Sequence, residues 1–214
     1  MFKDRDDAGR QLGAALMGYK DQGVLVLGIA RGGVAVAAQA AEMIGAELNL
    51  LVTRKLPLPY NPEAGFGAVA EDGSVFMHPW AASQVDSETI ELIKEQQVAE
   101  IKKRIDKLRG GNPLPPIEGR TVILIDDGIA MGSTVRASLM FCRNQGAAKV
   151  VVASPVAGPT AKAQLSGLAD EIIILETPPN FMAVAQVYLD WYDMSFEEVN
   201  RIMEKWRSGH PDNA

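Results

Sequence analysis

Two adjacent carboxylates stand where a run of large aliphatic residues ends. In the stretch "VILIDDGIAMGST", residues 122–134, Asp126 and Asp127 directly follow four aliphatic side chains. A buried carboxylate is unfavourable unless hydroxyls, N–H groups or a cation hold it, because its charge has left water. The pair therefore predicts a ligand that brings hydroxyl groups or a divalent metal ion. A turn with two solvated acids is the simpler alternative, and two acids alone would favour it.

The residues after this acid pair are suited to an anion. Gly128 and Gly132 allow backbone conformations that bulkier residues avoid. The following N–H groups can point inward at the start of the next helix, where unpaired donors and the helix dipole favour phosphate. The predicted loop consists of Ala130, Met131, Gly132, Ser133 and Thr134. Hydroxyl-binding acids beside a phosphate loop predict a phosphorylated sugar as the ligand.

Two other segments offer groups for a second anion. In "ARGG", residues 30–33, Gly32 and Gly33 permit a close backbone approach and Arg31 can pair with negative charge. A tight turn that requires glycine is the alternative there. Arg54 and Lys55 end a predicted strand, where solvation of the strand end is the alternative. The stretch "GIARGG" lacks G-x-G-x-x-G spacing, which disfavours a nicotinamide-dependent oxidoreductase.

The elements that must position these groups alternate between strands and helices. Continuous apolar runs of strand length indicate strands buried on both faces, so we expect an α/β fold with a doubly wound, five-stranded parallel sheet. The predicted strands are Val24–Ile29, Glu47–Thr53, Val122–Ile125, Val150–Ser154 and Glu171–Leu175. Ligands of such sheets bind at the carboxyl ends of the strands, where the acid pair, "ARGG" and Arg54 all lie.

The middle of the chain interrupts this alternation. The Pro- and Gly-rich stretch "RKLPLPYNPEAGFG" predicts a mobile loop, with residues 56–68 as a candidate lid. A hairpin with Asp72-Gly73 at its turn should follow, and then a long helix over residues 87–108 for packing or dimer contacts. His78 and His210 show no pattern typical of a ligand. For the aromatic residues of the tail, core packing is the simpler interpretation; they are Phe181, Tyr188, Trp191 and Tyr192.

Composition excludes several classes of protein. The net charge of -6 makes a broad nucleic-acid surface unexpected, and the single Cys142 excludes a disulfide framework. Cys142 lies in an apolar helical stretch, so we expect a buried residue. The sequence has no apolar run of membrane-spanning length, and its first residues do not resemble a signal peptide. These features predict a cytoplasmic protein with no membrane or nucleic-acid partner.

The stretch "VILIDDGIAMGST" closely resembles the signature of the type I phosphoribosyltransferases. Two positions depart from it: Gly128 stands where the family generally has an aliphatic residue, and Met131 where it generally has Thr. The order of elements extends the resemblance over residues 20–177. The stretches "FKDRDDAGRQL", "ARGGVAVA" and "TRKLPLPYNPEAGFGAVAEDG" look like a bacterial subgroup of this family whose substrate is generally not assigned.

This resemblance implies one domain over residues 1–214, with a core of residues 20–177 and a hood formed by residues 1–19 and 178–214. It implies Mg²⁺-dependent transfer of a 5-phosphoribosyl group from phosphoribosyl pyrophosphate (PRPP) to a nitrogen base or amine, by a homodimer of nucleotide metabolism. A non-catalytic sensor of PRPP or nucleotides is the alternative, which the two departures favour.

The resemblance also implies roles for the predicted site residues. Asp126 and Asp127 would be catalytic, holding the ribose hydroxyls directly or through Mg²⁺. Residues 130–134 would bind the 5-phosphate. The pyrophosphate would be held by Arg31, Gly32, Gly33, Arg54 and Lys55.

Overall fold

The computed structural model describes residues 1–210, so the last four residues of the predicted hood lie outside it. The strands are β1 Leu25–Ile29, β2 Glu47–Leu51, β3 Thr53–Leu58, β4 Asn61–Ala70, β5 Val75–Met77, β6 Thr121–Ile125, β7 Lys149–Val156 and β8 Glu171–Glu176. The α-helices are α1 Arg5–Ala15, α2 Gly33–Ile44, α3 Ala81–Gln84, α4 Ser87–Arg109, α5 Ser133–Asn144, α6 Pro159–Leu165 and α7 Phe196–Gly209. Met17–Tyr19 and Val184–Val187 form short 3-10 helices. None of the helices in this part of the chain is long and apolar enough to cross a membrane.

Five parallel strands form the central sheet, in the order β2-β1-β6-β7-β8. Every residue of β1 is buried, and its side chains alternate between two cores. Val26 belongs to the core under α1, α2 and α7, whereas Leu25 and Leu27 belong to the core under α5 and α6. The predicted α/β fold with a doubly wound, five-stranded parallel sheet is therefore confirmed.

A second sheet replaces the irregular loop that the sequence predicts before the hairpin. β3, β4 and β5 pair antiparallel, so the prediction of a mobile loop over residues 56–68 is wrong in its secondary structure. Several Pro and Gly residues of this segment lie within the strands and do not end them. Pro57 lies at a register shift between β3 and β4, and a Cβ on Gly67 would overlap the carbonyl oxygen of Phe76. The predicted turn at Asp72-Gly73 is confirmed, with Gly73 at φ 85°.

Helix α5 packs on this antiparallel sheet as well as on the parallel one. The hydroxyl oxygens of Thr53 and Ser138 are 2.8 Å apart in the buried contact between β3 and α5. The guanidinium of Arg136 lies 4.5 Å from the ring centroid of Phe76 on β5. The inserted sheet therefore positions the helix that begins at Ser133.

The long helix α4 has the caps and the apolar stripe that its sequence indicates. The Asp86 side chain accepts from the Thr89 N–H at its start, and Gly110 ends it at φ 60°. The stripe packs within the protomer, where Ile90, Ile93, Ile101 and Leu108 are buried. Of the two predicted uses of this helix, the structure confirms packing.

The two ends of the chain meet over the carboxyl edge of the parallel sheet. The Phe2 N–H donates to the Val187 carbonyl over 2.7 Å, and the rings of Phe2 and Tyr188 lie 5.7 Å apart. This contact brings α1 and the tail together above β6.

Candidate functional site

The glycine turn predicted to bind an anion and the acid pair predicted to bind hydroxyls or a cation contact each other at the ends of β1 and β6. A Cβ on Gly32 would overlap the Asp127 carboxylate, and a Cβ on Gly33 would lie 2.9 Å from the Cα of Asp126. Glycine is needed at both positions because the backbone approaches the acids too closely for any side chain. The peptide bond between Ala30 and Arg31 is cis. The turn after β1 and the acid pair after β6 therefore form one site.

The two carboxyl groups are largely removed from solvent. The backbone N–H of Asp127 donates to Asp126 Oδ1 over 3.0 Å, which orients the Asp126 carboxyl. Burial raises the pKa of both carboxyls, and the charge of Asp127 adds to the rise in the pKa of Asp126. Such a pair is stabilised by a cation or by hydroxyl donors, as the sequence predicts.

Arg5 on α1 is a member of the site that sequence analysis missed. Its Nε donates to Asp127 Oδ2 over 2.8 Å, and the two side chains are only 7% and 13% exposed. Its Nη1 donates to the Tyr192 carbonyl over 3.0 Å, and its guanidinium lies 4.0 Å from the Trp191 ring centroid. The charge of Arg5 opposes the rise in the pKa of Asp127. Helix α1 therefore contributes a buried cation to the acid pair.

The aromatic tail supports the acids from the same side. Tyr188 is buried, and its hydroxyl donates to the Asp127 carbonyl over 2.7 Å. Burial raises the pKa of Tyr188, so this hydroxyl stays protonated and remains a donor. Trp191 packs between Tyr188 and Arg5, whereas Tyr192 is 47% exposed. Core packing is thus confirmed for Tyr188, and the packing also fixes the backbone that carries the acids.

The predicted phosphate loop borders a cavity of about 260 Å³. Residues 128–134 line one side, with Gly132 at φ 76° immediately before α5. Lys55 and Gly65 of the antiparallel sheet line the other side. The candidate phosphate site therefore lies between the loop and the inserted sheet.

Arg54 and Lys55 lie in different parts of the site, although the resemblance implies that both hold pyrophosphate. Successive strand residues point to opposite faces of a sheet. Arg54 turns toward α4, where its Nε donates to Gln97 Oε1 over 3.0 Å, while Lys55 lines the phosphate cavity. Burial lowers the pKa of Arg54, and the charges of Arg104 and Arg31 lower it further. Arg31, Arg54 and Arg104 thus form a basic group apart from Lys55.

The two departures from the family signature have different surroundings. A Cβ on Gly128 would overlap Cγ1 of Val184 and lie 2.7 Å from its Cγ2. The tail therefore occupies the space that an aliphatic side chain at position 128 would need. Met131 is 57% exposed and borders the phosphate cavity. Gly128 is explained by packing, and Met131 leaves its backbone N–H on the loop.

His78 has a hydrogen-bond partner that no sequence pattern indicates. Its Nε2 lies 2.9 Å from the Ser133 hydroxyl oxygen, within the predicted phosphate loop. His210 lies elsewhere, stacked on Trp206 and 3.3 Å from a Glu42 carboxylate oxygen. A single sequence shows no sign of the contact between His78 and Ser133, because 55 residues separate them.

The acid pair fits a metal ion only together with a ligand. Across residues 1–210, no three side chains of His, Cys, Asp or Glu come together as a metal site. Asp126 and Asp127 offer two carboxylates, and Mg²⁺ commonly takes one or two carboxylates with substrate phosphates and waters. The donor set therefore suits Mg²⁺ that arrives with a phosphorylated ligand.

Comparison with known proteins identifies the family of the chain. A sequence model described as the phosphoribosyl transferase domain matches residues 6–191. The crystal structure of TT1426 from Thermus thermophilus is similar, with 38% identity and a TM-score of 0.81. The similarity covers 96% of this chain and 98% of TT1426.

Curated relatives come from two strains of Mycobacterium tuberculosis and are provisionally named phosphoribosyl transferases. They are 38% identical over 207 residues, which is 96% of this chain and 47% of each relative. The chain thus spans about half the length of these relatives. Because the family match extends over most of the described residues, the chain belongs to the phosphoribosyl transferase domain family.

Proposed function

We propose that the protein transfers a 5-phosphoribosyl group from PRPP to a nitrogen base or amine and releases pyrophosphate. The observation that carries this proposal is the meeting of an acid pair with a glycine turn beside a loop-lined cavity. A sugar with phosphates at both ends needs these three features at one sheet edge. The family match supports the same reaction class.

Each part of the site would hold one part of PRPP. Asp126 and Asp127 would bind the ribose hydroxyls, and the N–H groups and hydroxyls of residues 130–134 would bind the 5-phosphate. Arg31, Arg54 and the backbone at Gly32 and Gly33 would bind pyrophosphate. Because Lys55 lines the phosphate cavity, we assign it to the 5-phosphate and not to pyrophosphate. Arg5 would keep Asp127 ionised and oriented.

The chemistry would rest on position and charge. Cleavage of the bond to pyrophosphate leaves positive charge on the sugar ring and adds negative charge to the leaving group. The basic group would stabilise the leaving pyrophosphate, while the buried acids face the developing positive charge. Mg²⁺ bound with the pyrophosphate would neutralise part of its charge. Residues 56–68 belong to β3, β4 and the turn between them. Closure of this antiparallel pair over the ligand would exclude water.

Binding of PRPP tests the proposal directly. Calorimetry with PRPP and Mg²⁺ should show saturable binding that is lost when Asp126→Asn and Asp127→Asn are combined. The absence of PRPP binding to the unsubstituted protein would contradict the phosphoribosyl proposal. Pyrophosphate release should then be measured with purines, pyrimidines and small amines as acceptors.

A non-catalytic PRPP or nucleotide sensor is the second candidate. The ion pair between Arg5 and Asp127 favours it, because the cation occupies one oxygen of the acid. PRPP binding without pyrophosphate release for any acceptor would support the sensor. The predicted homodimer is tested separately, by light scattering of the purified protein.

A further inference from the structure

A histidine that follows the antiparallel sheet contacts the start of α5. His78 follows β5, and its Nε2 lies 2.9 Å from the Ser133 hydroxyl oxygen. The imidazole is 9% exposed and stacks on Trp80 at 5.6 Å between centroids. Phe76 meets it edge-on at 5.1 Å, and the His78 N–H donates to the Phe66 carbonyl over 2.9 Å. The ring is therefore held in one position against the loop.

The hydroxyl of Ser133 has one proton to donate. If that proton is to face an anion in the loop, the oxygen must accept its other hydrogen bond from a neighbouring donor. His78 Nε2 is at the right distance to be this donor. With a proton on Nε2, His78 would donate to the Ser133 oxygen and leave the hydroxyl proton free to face the anion.

A buried cation contacts the same aromatic ring as His78. The Arg136 guanidinium sits 4.5 Å from the Phe76 ring centroid, and Nη2 donates to Gln164 Oε1 over 2.5 Å. Arg136 is 9% exposed, its Nε is buried without a hydrogen-bond partner, and no described carboxylate forms an ion pair with it. A buried guanidinium is normally paired with an anion, because its desolvation is otherwise unfavourable.

We propose that His78 and Arg136 are positioning residues of the phosphate site, which together orient the Ser133 hydroxyl and compensate the charge of a bound phosphomonoester. Nε2 of His78 donates to Ser133, whose O–H then donates to the phosphate. Arg136 supplies the positive charge that the loop itself lacks. This inference rests on the proposed function in taking the 5-phosphate of a phosphoribosyl ligand as the anion.

The proposal links phosphate binding to protonation of His78. In the free protein, burial lowers the pKa of His78, and the charge of Arg136 on α5 lowers it further. Arg136 is the only charged group that shifts this pKa among the described residues; β4 presents a carbonyl, and the turn before α3 presents Trp80. A phosphate dianion beside Ser133 favours the protonated ring, so binding should raise the pKa of His78.

Histidine resonances test this link without an assay of activity. The chain has two histidines, so His210→Gln leaves the imidazole of His78 as the single histidine signal in a proton NMR titration. Saturation with ribose 5-phosphate should raise the pKa of His78, whereas ribose without phosphate should not change it. An unchanged pKa with bound ribose 5-phosphate would overturn the proposal.

Affinity provides the second measurement. His78→Phe preserves the aromatic contacts and removes both ring nitrogens, and calorimetry should show about tenfold weaker binding of ribose 5-phosphate. His78→Gln keeps a polar group near the Nε2 position and should restore most of the affinity. Ser133→Ala should weaken binding similarly, and the double variant should add little because both act through one hydroxyl. His210→Gln is the control and should bind like the parent.

The outcomes separate this inference from the proposed reaction. Equal affinity of His78→Phe and the parent would overturn the inference while leaving the phosphoribosyl proposal intact. Dependence of ribose 5-phosphate binding on His78, without any binding of PRPP, would uphold the inference and overturn the proposed reaction. A parent protein that binds neither ligand would overturn both.

Discussion

At the scale of single residues, the site depends on groups that compensate one another's charge. Asp127 is largely removed from solvent beside Asp126, and Arg5 approaches it from the N-terminal helix α1. Neither the acid nor the cation would be stable alone in this position, because each has lost its hydration. The pair therefore serves the fold before any ligand binds.

Removal of Arg5 should reveal this dependence. Arg5→Met leaves Asp127 buried and unpaired, and we expect the free energy of unfolding to fall by about 3–5 kcal/mol in urea denaturation. Adding Asp127→Asn should recover much of that loss. Lys107→Met breaks a surface pair whose side chains are 50% and 69% exposed, so as a control it should change stability by less than about 1 kcal/mol. A loss for Arg5→Met as small as for the control would contradict this account.

His78 should make the stability of the fold sensitive to acid. Its pKa is lowered in the folded protein, so below the ordinary value of about 6.5 the unfolded chain binds more protons than the folded one. The free energy of unfolding should therefore fall as the pH drops below about 6.5, the ordinary pKa of histidine. His78→Gln should reduce this slope and His210→Gln should retain it, as measured by unfolding at each pH. An identical slope in all three proteins would contradict the prediction.

At the scale of elements, the antiparallel sheet packs on α5, the helix that follows the candidate phosphate loop. β3 contacts α5 through Thr53 and Ser138, and β5 contacts it through Phe76 and Arg136. We therefore expect a change in the sheet to affect the loop that precedes α5.

Gly67→Ala should test the link between this sheet and the loop. The new Cβ would overlap the Phe76 carbonyl oxygen, a backbone atom that cannot move without disturbing the pairing of β4 and β5. We expect lower stability and weaker ribose 5-phosphate binding, measured by thermal unfolding and calorimetry. Gly18→Ala is the matched control, because a Cβ there meets nothing within 4 Å. Unchanged binding in a folded Gly67→Ala protein would show that the sheet does not position the loop.

At the scale of the whole molecule, the two chain ends close over the sheet edge and complete the site. α1 supplies Arg5, and the tail supplies Tyr188 and the Val184 side chain that packs on Gly128. Residues from both ends thus contact the segment that contains the acids.

Gly128→Val should separate the effect of this packing from that of the signature itself. The added side chain would overlap Val184, and we expect a loss of about 1–3 kcal/mol in the free energy of unfolding. Val184→Ala should relieve the overlap in the double variant. Urea denaturation of the two single variants and the double variant measures the coupling. Additive losses would mean that Val184 does not determine the residue at position 128.

The sequence alone determined the five parallel strands, the acid pair at a strand end and the glycine-bounded loop, but it did not show that β8, at the sheet edge, is only partly buried. These features follow from local patterns: apolar runs of strand length, turn residues and helix starts. The Pro- and Gly-rich segment forms strands where its composition predicts a loop, because glycine permits close strand pairing as well as loops.

Only the tertiary structure decided which groups meet. Arg5 and Asp127 are 122 residues apart, and His78 and Ser133 are 55 residues apart. It also placed Arg54 and Lys55 in different parts of the site and filled the space beside Gly128 with Val184. Such contacts depend on how the two chain ends and the antiparallel sheet pack against the parallel sheet. No local pattern encodes the partner of a buried polar side chain.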